Sequence, residues 1–235
     1  MPPVLRAALW MLGTLMSLAL MAIAGRELSA ELSTLQILFF RSAIGLLIIL
    51  AVIWRVGRHH LTTRQPGLQV LRNVAHYIGQ FGWFYGISLL PLAQVFALEF
   101  TMPVWATLLA PLLLKEKITP MRALVVAVGF IGILIVVRPG LVTISPAALA
   151  VLMAAVGYAF AYTLTKKLTR TDTALAIVFY MCLVQLPLGL VPSLFDWVNP
   201  SAAMWPWIVA VSVTGLSAHY CLARAFAEAD AIVVV

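Results

Sequence analysis

Charge is what this 235-residue sequence has least of: Asp, Glu, Lys and Arg make up 10% of it, against about 25% in an average soluble domain. A water-exposed surface cannot be built from so little polar material, so most of the chain must face lipid or pack inside a lipid-embedded bundle. Motifs for phosphate and metal chemistry are missing too. Without a Gly-x-x-x-x-Gly-Lys-[Ser/Thr] loop to cradle nucleotide phosphates, ATP drive within this chain is excluded. There is no His-Glu-x-x-His pair, no Gly-x-Ser-x-Gly turn and no pair of carboxylates in one apolar run, which disfavours an enzyme and leaves no metal ligands, catalytic residues or cofactor to assign. The two cysteines, Cys182 and Cys221, lie in apolar runs, behave as small hydrophobes and carry no information on redox compartment.

What is there is hydrocarbon-compatible. Hydrophobic residues are 63% of the chain and mean hydropathy is +1.06. Apolar runs fall at 7–24, 34–54, 73–90, 92–114, 120–137, 146–165, 173–194 and 204–225, each long enough for one helical crossing of roughly 20 residues, some with tilt. Every backbone amide within the hydrocarbon must be bonded inside its own segment, so the spans are helices. The run 7–24 is longer than a signal-peptide core and further spans follow, so it reads as an uncleaved first helix. Thr119–Pro120, Ser145–Pro146 and Asn199–Pro200 each place a capping side chain before a first-turn proline, and Thr171 and Asp172 do similar duty.

The connecting charges give an orientation. With the N-terminus in the cytoplasm, the inner loops hold Arg6, then Arg55, Arg58, Arg64 and Arg72, then Lys115, Lys117 and Arg122, then Lys166, Lys167 and Arg170, and finally Arg224; the outer loops hold Arg26 and Arg138. That asymmetry is the positive-inside pattern. The +7 formal charge therefore belongs to membrane topology, and nucleic acid is not expected as a partner.

The chain also repeats. Ser33-Thr-Leu-Gln-Ile-Leu-Phe-Phe40 resembles Thr173-Ala-Leu-Ala-Ile-Val-Phe-Tyr180, and the segment from Phe84 to Ala93 aligns with that from Tyr220 to Ala229. One unit then holds five crossings, and an odd number forces the second copy to enter from the opposite side. The expected architecture is an all-α polytopic membrane protein of inverted five-helix repeats, 1–144 and 145–235, with eight complete transmembrane helices and the start of a ninth. By the same reading the second repeat is cut short and roughly 50 further residues, two spans with their turns, are expected beyond Val235.

Several strings resemble the EamA family of the drug/metabolite transporter superfamily: Phe39-Phe-Arg-Ser-Ala-Ile-Gly45, the stretch from Trp83 to Ala93, Lys115-Glu-Lys-Ile-Thr-Pro120, Gly129-Phe-Ile-Gly132 and Arg138-Pro-Gly140. Leu98–Pro103 and Ala218–Arg224 are similar to bacterial members. The resemblance implies a ten-helix fold of two inverted repeats that moves small organic metabolites across the membrane.

Candidate site residues come from polar groups placed inside spans. Arg41 and Glu99 each lie seven residues from the outer face, about 10 Å deep at 1.5 Å per residue. They either pair with each other or meet a polar substrate or coupling proton. Arg72, His76, Gln80 and Phe84 share one face of the third span; Arg72 is expected at lipid headgroups, with His76 and Gln80 lining a cavity. His219 is the deep ionisable group of the eighth span and Trp83 its counterpart in the repeat. Tyr158 and Tyr162, one turn apart, either pack or stack on a planar solute. Gly82 with Gly86, and Gly129 with Gly132, favour close helix contact, and Trp205 and Trp207 suit an interfacial belt. Pro103 and Pro111 interrupt the fourth span. The function these residues imply is a secondary carrier in the cytoplasmic (inner) membrane, working by alternating access on a small molecule. An intramembrane enzyme, a non-transporting scaffold and a homodimer are alternatives left open.

Overall fold

The structure, a computed structural model, describes residues 2–114, 120–137 and 145–229. Within them the regular structure is helical: α1 (Pro3–Leu28), α2 (Thr34–Val56), α3 (Pro66–Leu89), α4 (Leu92–Glu99), α5 (Met102–Leu114), α6 (Pro120–Val137), α7 (Pro146–Leu168), α8 (Ala174–Ser193) and α9 (Trp205–Glu228). Among the described residues six stretches are long and apolar enough to cross a membrane: Pro3–Leu28, Thr34–Val56, Leu92–Leu109, Pro146–Leu168, Ala174–Ser193 and Ala202–Glu228. The chain is a multi-pass membrane protein. The long helix α3 is not among these six, because Arg72, Asn73, His76 and Gln80 lie along it. Its polar face is instead buried by its neighbours, while apolar residues such as Leu12, Leu47 and, on the opposite side of α3, Ile78 point outward, as lipid contact requires.

Helix starts follow local chemistry. Ser33 Oγ accepts the Gln36 amide at 3.3 Å, Ser145 Oγ the Ala148 amide at 3.2 Å and Thr173 Oγ1 the Ala176 amide at 3.2 Å, each satisfying a donor that the helix leaves over. The cap of α8 is thus Thr173, not Thr171 or Asp172. Asn199 does not cap α9: its Oδ1 accepts from Trp197 Nε1 at 3.0 Å. The helix starts at Trp205 after a 3₁₀ turn over Ala202–Met204, with a proline in its first turn. Thr119 lies outside the described residues.

The expected single span 92–114 is two helices, broken at Phe100 and Thr101. Pro103 has no N–H to donate to the Glu99 carbonyl and its ring would crowd that carbonyl, so α4 stops and α5 restarts with Pro103 in its first turn.

Three packing partnerships organise the bundle: α1 along α9, α3 along α7 and α2 along α8. Secondary contacts join α2 to α9 and α3 to α8. Exchanging α1, α2 and α3 for α7, α8 and α9 maps each of these five pairings onto one of the set. Hydrogen bonds at the helix ends follow the same exchange. Ser29 Oγ donates to the Arg26 carbonyl at 2.7 Å and Thr169 Oγ1 to the Lys166 carbonyl at 2.8 Å. The side chain of Arg26 reaches the Leu90 carbonyl at the end of α3, and Lys166 Nζ reaches the carbonyls of Phe226 and Ala229 at the end of α9, at 2.7 and 2.6 Å. At one end of the bundle Glu31 accepts the Ser201 amide and hydroxyl at 3.1 and 2.8 Å. At the other, Asp172 accepts the Thr63 hydroxyl, the Arg64 amide at 3.3 Å and Gln69 Nε2 at 2.8 Å.

The α3–α7 seam is close because glycines line it. A Cβ on Gly82 would lie 2.5 Å from the Ala150 carbonyl oxygen, and Gly86 has no room beside Val151. Among the described residues Gly129 and Gly132 form no such seam. A Cβ on Gly129 would meet only Val104, at 3.2 Å, and one on Gly132 nothing within 4 Å.

Candidate functional site

The interior of the bundle holds a polar layer. Helix α3 contributes Arg72, His76 and Gln80 from one face, as i, i+4 spacing requires; α2 contributes Arg41, α7 Tyr158 and Tyr162, α8 Gln185 and α9 His219. All are buried, with Arg41 3%, Arg72 1% and His76 0% exposed. The side-chain amide of Gln80, oriented by its partners, accepts from both Nη atoms of Arg41 at 2.6 and 3.0 Å and donates to Gln185 Oε1 at 2.8 Å. Gln185 Nε2 lies 3.2 Å from the Asn73 carbonyl and 2.9 Å from His76 Nδ1. A donating amide at Nδ1 makes that nitrogen the acceptor, so the His76 proton sits on Nε2.

Aromatic rings close the layer. The His76 ring meets the His219 ring edge-on at 4.6 Å and lies 5.3 Å from Tyr158, while Tyr158 and Tyr162 stack at 5.6 Å with 11° between planes. Six of the eight candidates (Arg41, His76, Gln80, Tyr158, Tyr162 and His219) therefore meet in one cluster. The other two form a pair beside it: Trp83 Nε1 donates to Glu99 Oε2 at 2.7 Å. Glu99 and Tyr162 line a cavity of about 370 Å³ walled by Met11, Thr14, Phe96 and Leu222, so Tyr162 faces both groups.

Two expectations change. Arg41 and Glu99 do not form an ion pair; each finds a different neutral partner, Gln80 and Trp83. Matched depth fixes height in the membrane but not direction around the bundle. Arg72 does not reach headgroups. Its Nε donates to Thr165 Oγ1 at 3.0 Å and its Nη1 to Asn73 Oδ1 at 2.5 Å, because α7 and α8 cover that face of α3.

Sequence reading missed Asn73, Gln185, Thr165 and Gly215. Gln185 was visible as a lone amide in the apolar run of α8. Gly215 matters by what it omits: a Cβ there would lie 2.5 Å from Arg41 Nε, so only glycine leaves the guanidinium its place. Outside the spans, His60 bonds Thr173 Oγ1 at 2.9 Å, and burial, then the neighbouring His59, pull its pKa below the usual histidine value. Among the described residues no group of three metal-ligating side chains converges. The layer can bind by hydrogen bonding, charge and ring stacking.

Comparison with known proteins fits such a layer. Residues 5–138 match the model of the EamA-like transporter family. This chain belongs to that family. Among relatives, the S-adenosylmethionine uptake transporter of Rickettsia prowazekii is 26% identical, covering 94% of this chain and 76% of the relative. The riboflavin transporter of Vibrio cholerae is 30% identical over 97% of this chain and 78% of its own. The pseudopaline exporter of Pseudomonas aeruginosa is 29% identical over 89% and 74%. A solved crystal structure superposes with a TM-score of 0.71 at 18% identity, covering 97% of this EamA chain and 83% of the solved one, which is agreement in fold. The relatives are named as transporters, uptake and export both, and support small-metabolite transport for this member.

Proposed function

We propose that this EamA-family protein is a secondary transporter that moves a small organic metabolite across the cytoplasmic membrane by alternating access, with its N-terminus in the cytoplasm. The observation that carries the reading is the buried polar layer. Arg41, His76, Gln80, Tyr158, Tyr162 and His219 converge from α2, α3, α7 and α9 inside a bundle whose outer face is apolar. Ionisable groups inside a membrane are costly, and function is the default reason for keeping them.

The exchange of helix pairings between α1–α3 and α7–α9 supports inverted repeats over 1–144 and 145–235. In that arrangement substrate sites lie at the repeat interface near the membrane midplane, which suits a layer drawn from α2 and α3 on one side and α7, α8 and α9 on the other. The Glu31–Ser201 and Asp172–Thr63 contacts then act as equivalent fastenings at opposite faces. The inner-face concentration of Lys and Arg supports the orientation.

The test is ligand-dependent stability. The purified protein is heated with a panel of metabolites that includes S-adenosylmethionine and riboflavin. A carrier gives at least one solute that raises the unfolding midpoint of wild type but not of Tyr162→Ala, since whatever binds the native state stabilises it. A scaffold gives none.

A further inference from the structure

Beside the polar layer lies an acid that no base answers. Glu99, the last residue of α4, is 8% exposed, and its Oε2 accepts the Trp83 indole N–H at 2.7 Å. Its Oε1 has no hydrogen-bond partner among the described residues. The ion pair among those residues is elsewhere, Arg6 with Glu228, 2.8 Å apart at the surface. A carboxylate taken out of water carries a desolvation cost that one neutral donor does not cancel.

That carboxylate has room in front of it. Glu99 lines the cavity of about 370 Å³ that residues of α1, α4, α5, α7 and α9 enclose, a volume in the range of small-molecule sites. Among the described residues that line it, Glu99 is the one that carries a charge. The Thr14 hydroxyl is also in the wall, but it donates to the Trp10 carbonyl at 3.0 Å and leaves the acid unanswered.

The arginines stand apart from this space. Neither Arg41 nor Arg72 lines the cavity; their bonds run within the layer, to Gln80, Asn73 and Thr165. Tyr162 is the wall that both regions share, stacked on Tyr158 in the layer and facing the cavity with Glu99. The remaining walls are apolar or aromatic, Met11, Leu18, Phe96 and Phe100 among them. An apolar enclosure strengthens the attraction between opposite charges, and aromatic rings add their own attraction for a cation. Leu15 and Phe100 are in the wall and also exposed on the outside of the bundle, so the cavity opens sideways, towards lipid.

We propose that this cavity seats the transported solute and that the solute is an organic cation. Its positive group meets Glu99 Oε1, and its apolar or aromatic body lies along Met11, Phe96 and Tyr162. The proposal rests on the transporter reading and names the charge class that the site selects. A lipid acyl chain entering from the side and an inorganic cation are the rival occupants.

The experiment compares probes with one ring and different charge. Thermal unfolding of the purified full chain is followed with phenethylamine, which is protonated at neutral pH, with neutral 2-phenylethanol and with anionic 3-phenylpropionate. Sodium chloride and potassium chloride at matched ionic strength serve as the inorganic arm. Expected is a dose-dependent rise in midpoint with phenethylamine, little or none with the other two probes, and loss of the rise in Glu99→Gln, which keeps the shape and removes the charge. Glu99→Asp keeps the charge on a shorter arm and should retain a reduced rise; it serves if Glu99→Gln does not fold. Ala19→Phe crowds the cavity from α1 with the carboxylate left in place, and it should weaken the rise as well. No rise with phenethylamine, or a rise that survives unchanged in Glu99→Gln or in Ala19→Phe, overturns the proposal. Equal stabilisation by 2-phenylethanol overturns it in favour of an apolar occupant such as a lipid chain. A salt effect that depends on Glu99, with nothing added by phenethylamine, overturns the organic source and assigns the acid to an inorganic cation. Vesicle transport of a neutral or anionic metabolite without any phenethylamine effect would end this proposal and leave the carrier reading standing. A Glu99-dependent phenethylamine rise without transport of any metabolite would do the reverse.

Discussion

Arg41 and Glu99 show how little the depth of a charged residue says about its partner. Both lie near the same end of the bundle, yet one is held by an amide on α3 and the other by an indole on α3 a turn away. The consequence is measurable by double-mutant cycles in chemical unfolding. Glu99→Gln combined with Trp83→Phe should show a coupling of about 1.5–3 kcal/mol, the worth of a hydrogen bond to a charged group. Glu99→Gln combined with Arg41→Met should be additive to within about 0.5 kcal/mol, as for sites that share no partner. A strong coupling in the second cycle would restore the ion pair that the structure does not contain. The residue types of the site were legible because a charge or amide in hydrocarbon stands out. Their pairing was not, since it depends on the facing of α4, and that is set by the break at Phe100 and Thr101.

Among elements, α3 carries the most information. Its Arg72–His76–Gln80 row was readable from four-residue spacing, and its glycines from the small-xxx-small pattern. What covers that row was hidden, because packing α3 against both α7 and α8 is long-range and leaves no local signal. The seam yields a contrast. Gly82→Leu should destabilise the protein by about 1–3 kcal/mol through overpacking against the α7 backbone, whereas Gly132→Leu, with open space around it, should be near neutral in the same unfolding measurement. The turn before α8 yields another. Asp172 accepts from three donors in and around the α2–α3 connection. Removing a buried acceptor costs about 1–3 kcal/mol. Asp172→Ala should therefore speed trypsin cleavage after the exposed Arg64 by about tenfold, if cleavage follows the local opening equilibrium. An unchanged rate would mean that this connection is held by something other than Asp172.

For the whole molecule, composition alone excluded a soluble globule. The weak internal similarity pointed to a repeat, and the exchange of pairings between α1–α3 and α7–α9 is what the proposed repeat would give. Orientation came from the placement of Lys and Arg, and labelling tests it: a cysteine at Thr62 should react with an impermeant reagent only from the cytoplasmic side and one at Ser201 only from outside, the reverse pattern inverting the topology. Substrate identity was not legible, because the proposed site draws on five helices, and the space between their side chains is set by long-range packing that no run of sequence encodes.

If the buried layer of this EamA-family chain moves a solute, counterflow in sealed vesicles must reveal it. Purified protein is reconstituted, the vesicles are loaded with each unlabelled metabolite of a panel in turn, and entry of the labelled form is followed. Expected is transient accumulation above equilibrium for at least one metabolite with wild type, and its loss in His219→Ala and Tyr162→Ala proteins that fold and reconstitute normally. Accumulation that survives both substitutions, or its absence for every metabolite with wild-type protein, would contradict it.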